Sequence, residues 1–257
     1  MNFGTITITF GDQAENHRGM QTVGKGLASA GFTIEELQDA KVLFETAGCK
    51  CDLINLNKNL PAGVDADEAA ILVIKDGVNM LLKPLSGLKE DMAKELTSLE
   101  WDKQAKMYGR VVNKRARYNL CFDDSKQEPD IAAGKGRVID FKDTLFTECI
   151  RTNLSHYLGP KADGLVGEGN WYYDSSKCFI SEHGDAERLI VVAVRLGDSL
   201  PLHYQWYLNS KKVGNRETLN IEGGDMYVMS EKAVGNDWKK RKIYTLRHSA
   251  GQESLLF

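Results

Sequence analysis

The sequence predicts an α+β protein. Residues 99–257 read as a double-stranded β-helix (jelly-roll) core, and residues 1–98 as an N-terminal α/β extension with flanking helices. Two patterns carry this. From about Trp171 onward, apolar runs (Leu189 to Leu196, Leu202 to Leu208, Met226 to Met229, Ile243 to Leu246) are separated by turn clusters. These fall at Gly197 to Ser199, Asn209 to Lys212 and Glu222 to Asp225. Many short strands without intervening helices favour a sandwich or jelly roll. Before residue 98, strand-like and helix-like patterns alternate instead.

Along the chain, Thr5 to Phe10 alternates Thr with apolar residues ahead of Gly11 and Asp12, which predicts a half-buried strand and a turn. Small residues between Met20 and Ala30 predict a helix there. Thr33 and Glu36 form a capping-box pattern opening a helix to about Thr46, with Leu37, Val42, Leu43 and Phe44 as its apolar face. Cys51 to Leu56 and Ala69 to Ile74 read as strands, and Leu85 to Leu99 as a helix. Residues 125–138 read as a loop, and Thr144 to Leu158 as a helix stopped by Gly159 and Pro160.

With 42% hydrophobic and 27% charged residues, the composition is that of an ordinary globular protein. A formal net charge of −3 exerts no global pull toward polyanions, so any such contact needs a local basic patch. The segment 106–124 supplies a candidate: Arg110, Lys114, Arg115 and Arg117 interleave with Tyr108 and Tyr118. Such a mixture suits phosphate contacts and base stacking, and equally a solvated strand pair. No apolar run approaches the roughly 20 residues of a membrane span. The N-terminus lacks a secretory pattern, which predicts a cytoplasmic or nuclear protein. Five scattered cysteines read as reduced thiols.

The candidate chemistry centres on His183-Gly184-Asp185. In an extended strand residues i and i+2 share a face, so an imidazole and a carboxylate can reach one ion. One later histidine would complete a 2-His-1-carboxylate triad with open positions, the set that suits Fe(II). His203 and His248 are the histidines that follow.

Asn170 and Tyr172, then His183 and Asp185, then the run Ile190 to Gly197, and later Gly224 and Asp225 leading an apolar stretch, occur in the order found in AlkB-like proteins. Over roughly residues 100–250 the chain resembles this branch of the Fe(II)/2-oxoglutarate dioxygenases. The resemblance implies a jelly roll with His183, Asp185 and His248 as metal ligands, and O2 and 2-oxoglutarate as cosubstrates. It implies Asn170 and Tyr172 as 2-oxoglutarate contacts, and Glu187 near the substrate, where the plain alternative is a glutamate paired with Arg188. The family's arginine pair follows its distal histidine, whereas here no basic residue follows His248. The C5 carboxylate partner is therefore expected to be Arg247, Arg195 or another residue upstream. Tyr173, Arg115 and Arg117 are further candidate substrate contacts. The implied activity is hydroxylation or oxidative demethylation of a C–H bond on a nucleobase or nucleic acid. A protein side chain, a free small molecule, or a non-catalytic binding module stand as the alternatives.

Overall fold

The Thr–Ile alternation of residues 5–10 builds the middle of the molecule. In the computed structural model, which describes residues 3–256, this stretch is strand β1 (Thr5–Gly11). It is followed by β2 (Ala14–Glu15), β3 (Thr22–Val23), α1 (Ile34–Thr46), β4 (Cys51–Asn55), β5 (Ala70–Ile74), α2 (Gly77–Leu82) and α3 (Lys89–Ser98). Next come β6 (Gln104–Met107), β7 (Arg110–Asn113), β8 (Tyr118–Asp123), β9 (Val138–Asp140), α4 (Leu145–Leu158), β10 (Val166–Tyr172), β11 (Ile180–His183) and β12 (Val192–Gly197). The chain closes with β13 (Leu200–Leu208), β14 (Lys211–Ile221), β15 (Met226–Met229), α5 (Glu231–Val234) and β16 (Thr245–Ala250).

The architecture is α+β, with helices, a large sheet and a smaller sheet stacked in three layers. The large sheet has eight strands in the order β4-β5-β15-β12-β1-β10-β8-β9, antiparallel except for β8 with β9. The smaller sheet runs β11-β16-β13-β14. Because side chains alternate across a strand, Ile6, Ile8 and Phe10 face the helices with Val192, Val194, Met226 and Val228. There they meet Leu37, Phe44, Ile150 and Leu154, all fully buried. Truncating one such side chain to alanine costs roughly 2–5 kcal/mol. The other face presents Ile71, Val73, Ala193 and Tyr227 to Leu202, Tyr204, Trp206 and Leu246 of the smaller sheet. The cavity between the two sheets opens where their apolar packing ends.

Several expectations need correction. Strands from both sides of residue 98 share the large sheet, with β1 hydrogen-bonded between β10 and β12. Strands β1, β4 and β5, which precede residue 98, are thus part of the core sheet. Residues 20–30 form loop and β3 in place of a helix. Gly24 and Gly26 lie at φ 111° and 121°, and Asp12 Oδ2 accepts from the Ala28 amide at 2.7 Å. In α1 the core takes Leu37, Ala40 and Phe44, at helical spacing, while Val42 and Leu43 are exposed. The capping box at Thr33 and Glu36 is present. Strand β14 had no apolar signature because it is a mostly polar edge strand. It is joined to β13 through Asn209 and Ser210, both at positive φ, as a two-residue hairpin requires. All five cysteines are free. Among the described residues no helix is long and apolar enough to cross a membrane.

Candidate metal centre

The pairing of β11 with β16 sets His183 directly opposite His248, with ring centroids 4.5 Å apart. Asp185 follows two residues on. His183, Asp185 and His248 offer ligand atoms that all lie within 4.8 Å of one another. Asp185 Oδ1 is 3.4 Å from His183 Nε2 and 3.6 Å from His248 Nε2. His183 Nδ1 donates to the Ser181 carbonyl at 2.7 Å, which leaves Nε2 with a free lone pair for a metal. His248 Nδ1 is buried with no partner among the described residues. Two imidazoles and a carboxylate fit a divalent first-row metal.

The strand and loop around the triad are locally constrained. A Cβ on Gly184 would lie 2.1 Å from the Gly235 carbonyl oxygen and 2.7 Å from Trp238 Cβ, so only glycine admits this approach. The Asp185 amide donates to the Val234 carbonyl, and Asn236 Nδ2 holds the carbonyls of Asp185, Ala186 and Arg188. Asp185 is held well below the usual carboxylate range: burial opposes ionisation, but Arg188, His248 and His183 outweigh it. Burial lowers His183 too, but its bond to Asp185 prevails and its pKa rises. His248 is lowered, by burial and then by the His183 charge.

The triad sits on a cavity of about 380 Å³ between the two sheets. The large sheet forms its floor through every second residue of three adjacent strands: Thr7 and Thr9, Glu168 with Asn170 and Tyr172, and Val191 with Arg195. Arg195 is 1% exposed, and its Nη1 donates to the Leu200 carbonyl at 2.9 Å. Its Nε has no hydrogen-bond partner among the described residues, nor has Thr7 Oγ1. The Tyr227 phenol lies beside the Arg195 guanidinium. The Tyr172 hydroxyl is pushed up to about 12 by burial.

Arg247 is elsewhere. It follows the strand alternation to the face opposite His248, stacking on Tyr207 (3.8 Å to the ring centroid) and lying over Trp238. The buried guanidinium in the cavity is therefore that of Arg195, an arginine at a cavity-facing position of the apolar run 190–197. That placement was the available sequence signal. Arg188 is the second such group, buried among Glu168, Glu187 and Asp185. Tyr227 escaped because its strand is apolar throughout.

Asn170 lines the cavity, yet its Oδ1 accepts from Arg117 Nε (2.6 Å) and Asn119 Nδ2 (2.8 Å). Its Nδ2 donates to Glu168, leaving one N–H for a ligand. Glu187 both lines the cavity and pairs with Arg188 at 2.8 Å. Tyr173 does not line it: the ring stacks on Tyr118 at 4.3 Å and the hydroxyl donates to the Arg115 carbonyl. Arg115 is likewise outside the cavity, while Arg117 lines it.

The 106–124 segment divides accordingly. Lys114 turns inward to Asn16 and Asn119, whereas the β6–β7 hairpin carries Tyr108 at its tip, 94% exposed. Burial of the Lys114 ammonium pulls its pKa down to about 7. Arg18, Arg117 and Lys239 also line the cavity, Arg117 bonded to Asn170 and Lys239 lying over the Trp238 ring. The loop from Glu15 to Thr22 forms one wall, with Asn16 anchored to Asp102 at 2.8 Å. His17 is part of this wall.

Over 249 residues, 96% of this chain and 95% of the relative, the sequence is 47% identical to "Uncharacterized protein R156" of Acanthamoeba polyphaga mimivirus. No protein-family model matches the chain.

Proposed function

We propose that this protein, which belongs to the family of the mimivirus protein R156, is an Fe(II)- and 2-oxoglutarate-dependent dioxygenase. The observation that carries the reading is the His183–Asp185–His248 cluster on a cavity whose floor holds Arg195. With 2-oxoglutarate and O2, iron at such a centre supplies hydroxylation of a C–H bond, and demethylation where that carbon is attached to nitrogen.

The order of strands supports a jelly roll. Between β10 and β16 the chain alternates between the large and the smaller sheet, with β13 and β14 as a hairpin within the smaller one. Strand β1, between β10 and β12, would then supply the eighth strand of such a fold. Thr7 and Arg195 offer a hydroxyl and a guanidinium that suit a carboxylate of 2-oxoglutarate. Tyr172, Tyr227 and the remaining N–H of Asn170 complete a polar lining that orients the cosubstrate. Leu202 and Met229 in the wall help to exclude water.

For the substrate, the cations Arg18, Arg117 and Lys239 that line the cavity, with the exposed Tyr108 hairpin nearby in the chain, favour a nucleobase within nucleic acid. Phosphates would meet the rim, and the base would enter toward Glu187. The test is anaerobic titration with Fe(II) and 2-oxoglutarate. A weak visible charge-transfer band is expected, and succinate release should rise with methylated oligonucleotides. Folded protein that gives no band and no succinate overturns the enzyme reading. Stimulation by peptides or free small molecules alone overturns the substrate.

A further inference from the structure

We infer that Arg188 is a positioning residue that restricts Asp185 to one oxygen at the metal; the inference rests on the metal-centre reading above. Arg188 is 3% exposed, and its guanidinium is shared among three carboxylates. It pairs with Glu168, with Glu187 at 2.8 Å, and with Asp185 Oδ2 at 3.7 Å. The two oxygens of Asp185 are thereby divided. Oδ1 faces both histidine Nε2 atoms, while Oδ2 faces Arg188.

The division has a chemical consequence. A carboxylate with both oxygens available can chelate an ion, and chelation would occupy one of the three positions that a facial triad leaves open. A permanently charged group on Oδ2 disfavours that mode, since moving Oδ2 to the metal would weaken the attraction to the guanidinium. Glu168 and Glu187 make this buried cation tolerable by balancing its charge.

Arg188 is not what holds the loop. Asn236 Nδ2 caps the carbonyls of Asp185, Ala186 and Arg188 at 3.3, 2.9 and 3.1 Å, and the Asp185 amide is tied to Val234. The backbone therefore has its own support, and the guanidinium acts on the Asp185 carboxylate. Glu187, which lines the cavity, shares Arg188 Nε at 3.1 Å. One group thus links the substrate side of the cavity to the metal ligand.

The test is anaerobic Co(II) titration of the full-length protein, reading both the dissociation constant and the visible d–d spectrum. Wild type binds Co(II) in this reading; a folded wild type that does not bind removes the metal-centre reading itself. Given wild-type binding, Arg188→Gln should alter the d–d band intensity, the signature of a changed coordination number, and tighten Co(II) binding roughly 3–10-fold, because a second carboxylate oxygen is released and a neighbouring cation is lost. Asn236→Ala, which loosens the same loop, should leave the spectrum unchanged. Arg188→Lys, lacking the planar fork, should fall between wild type and Arg188→Gln in both quantities. Wild-type affinity and spectrum in folded Arg188→Gln overturn the assignment. Should that variant not fold, the same result in folded Arg188→Met, which also removes the charge, does so.

Discussion

Thr7 and Arg195 are cross-strand partners on β1 and β12, and each carries a buried polar atom without a hydrogen-bond partner among the described residues. An orphaned buried donor costs roughly 1–3 kcal/mol, a penalty that a carboxylate bound between the two would relieve. Arg195→Met is expected to weaken 2-oxoglutarate binding roughly 10–100-fold. Arg247→Met should change it less than about 3-fold, because Arg247 stacks on Tyr207 outside the cavity. Calorimetric titration of both variants with 2-oxoglutarate checks this, and the opposite ranking would move the carboxylate site.

The two downstream histidines differ in their bonding. His203 uses both ring nitrogens within the protein, Nδ1 toward Thr218 Oγ1 at 2.9 Å and Nε2 toward the Gly251 carbonyl at 3.0 Å. His248→Ala should abolish stoichiometric Fe(II) binding. His203→Ala should retain the metal and instead lose about 1–3 kcal/mol of stability in denaturant unfolding. Metal analysis after gel filtration separates the outcomes.

Gly184 is a steric requirement of the loop that carries Asp185. Gly184→Ala places a methyl group against Gly235 and Trp238 at distances that backbone must yield to. A loss of about 1–3 kcal/mol in stability is expected, together with weaker metal binding. Comparison of thermal melts with and without Co(II) reads both effects.

Glu15 gives the cavity wall a pH dependence. Burial, with help from Glu187 and Glu168, raises its carboxyl to about 7, against the Gly19 amide that lowers it. A folded-state pKa above the unfolded value means that the ordered loop binds the proton more tightly. Its stabilisation is full below about 4.5 and is lost as pH rises through about 7. Hydrogen exchange at residues 15–22, corrected for intrinsic rates, should show protection falling between pH 5.5 and 8. Glu15→Gln should flatten that dependence.

How much was legible varied with the range of the interaction. The strand at Thr5 to Phe10, the capped helix from Thr33, and the strand at Met226 to Met229 follow from periodicity, capping and a short apolar run, signals that act over a few residues. The closeness of His183 and Asp185 is likewise local, although Asp185 lies two residues past the end of β11 and not on the strand itself. The polar edge strand β14 and the loop at 20–30 were misread because an edge strand and a glycine-bent loop lack, or mimic, those local signals.

The sequence by itself determined many of the strand and helix segments and singled out the candidate pair His183 and Asp185. Tertiary structure alone decided that β16 pairs with β11, setting His248 and not His203 against them. It also decided that β1 inserts between β10 and β12, so that Thr7 meets Arg195 while Arg247 turns away. The physical reason is that pairing between strands distant in the chain is chosen by burial and backbone hydrogen bonding of the whole sheet. No periodicity within a single strand records its partner.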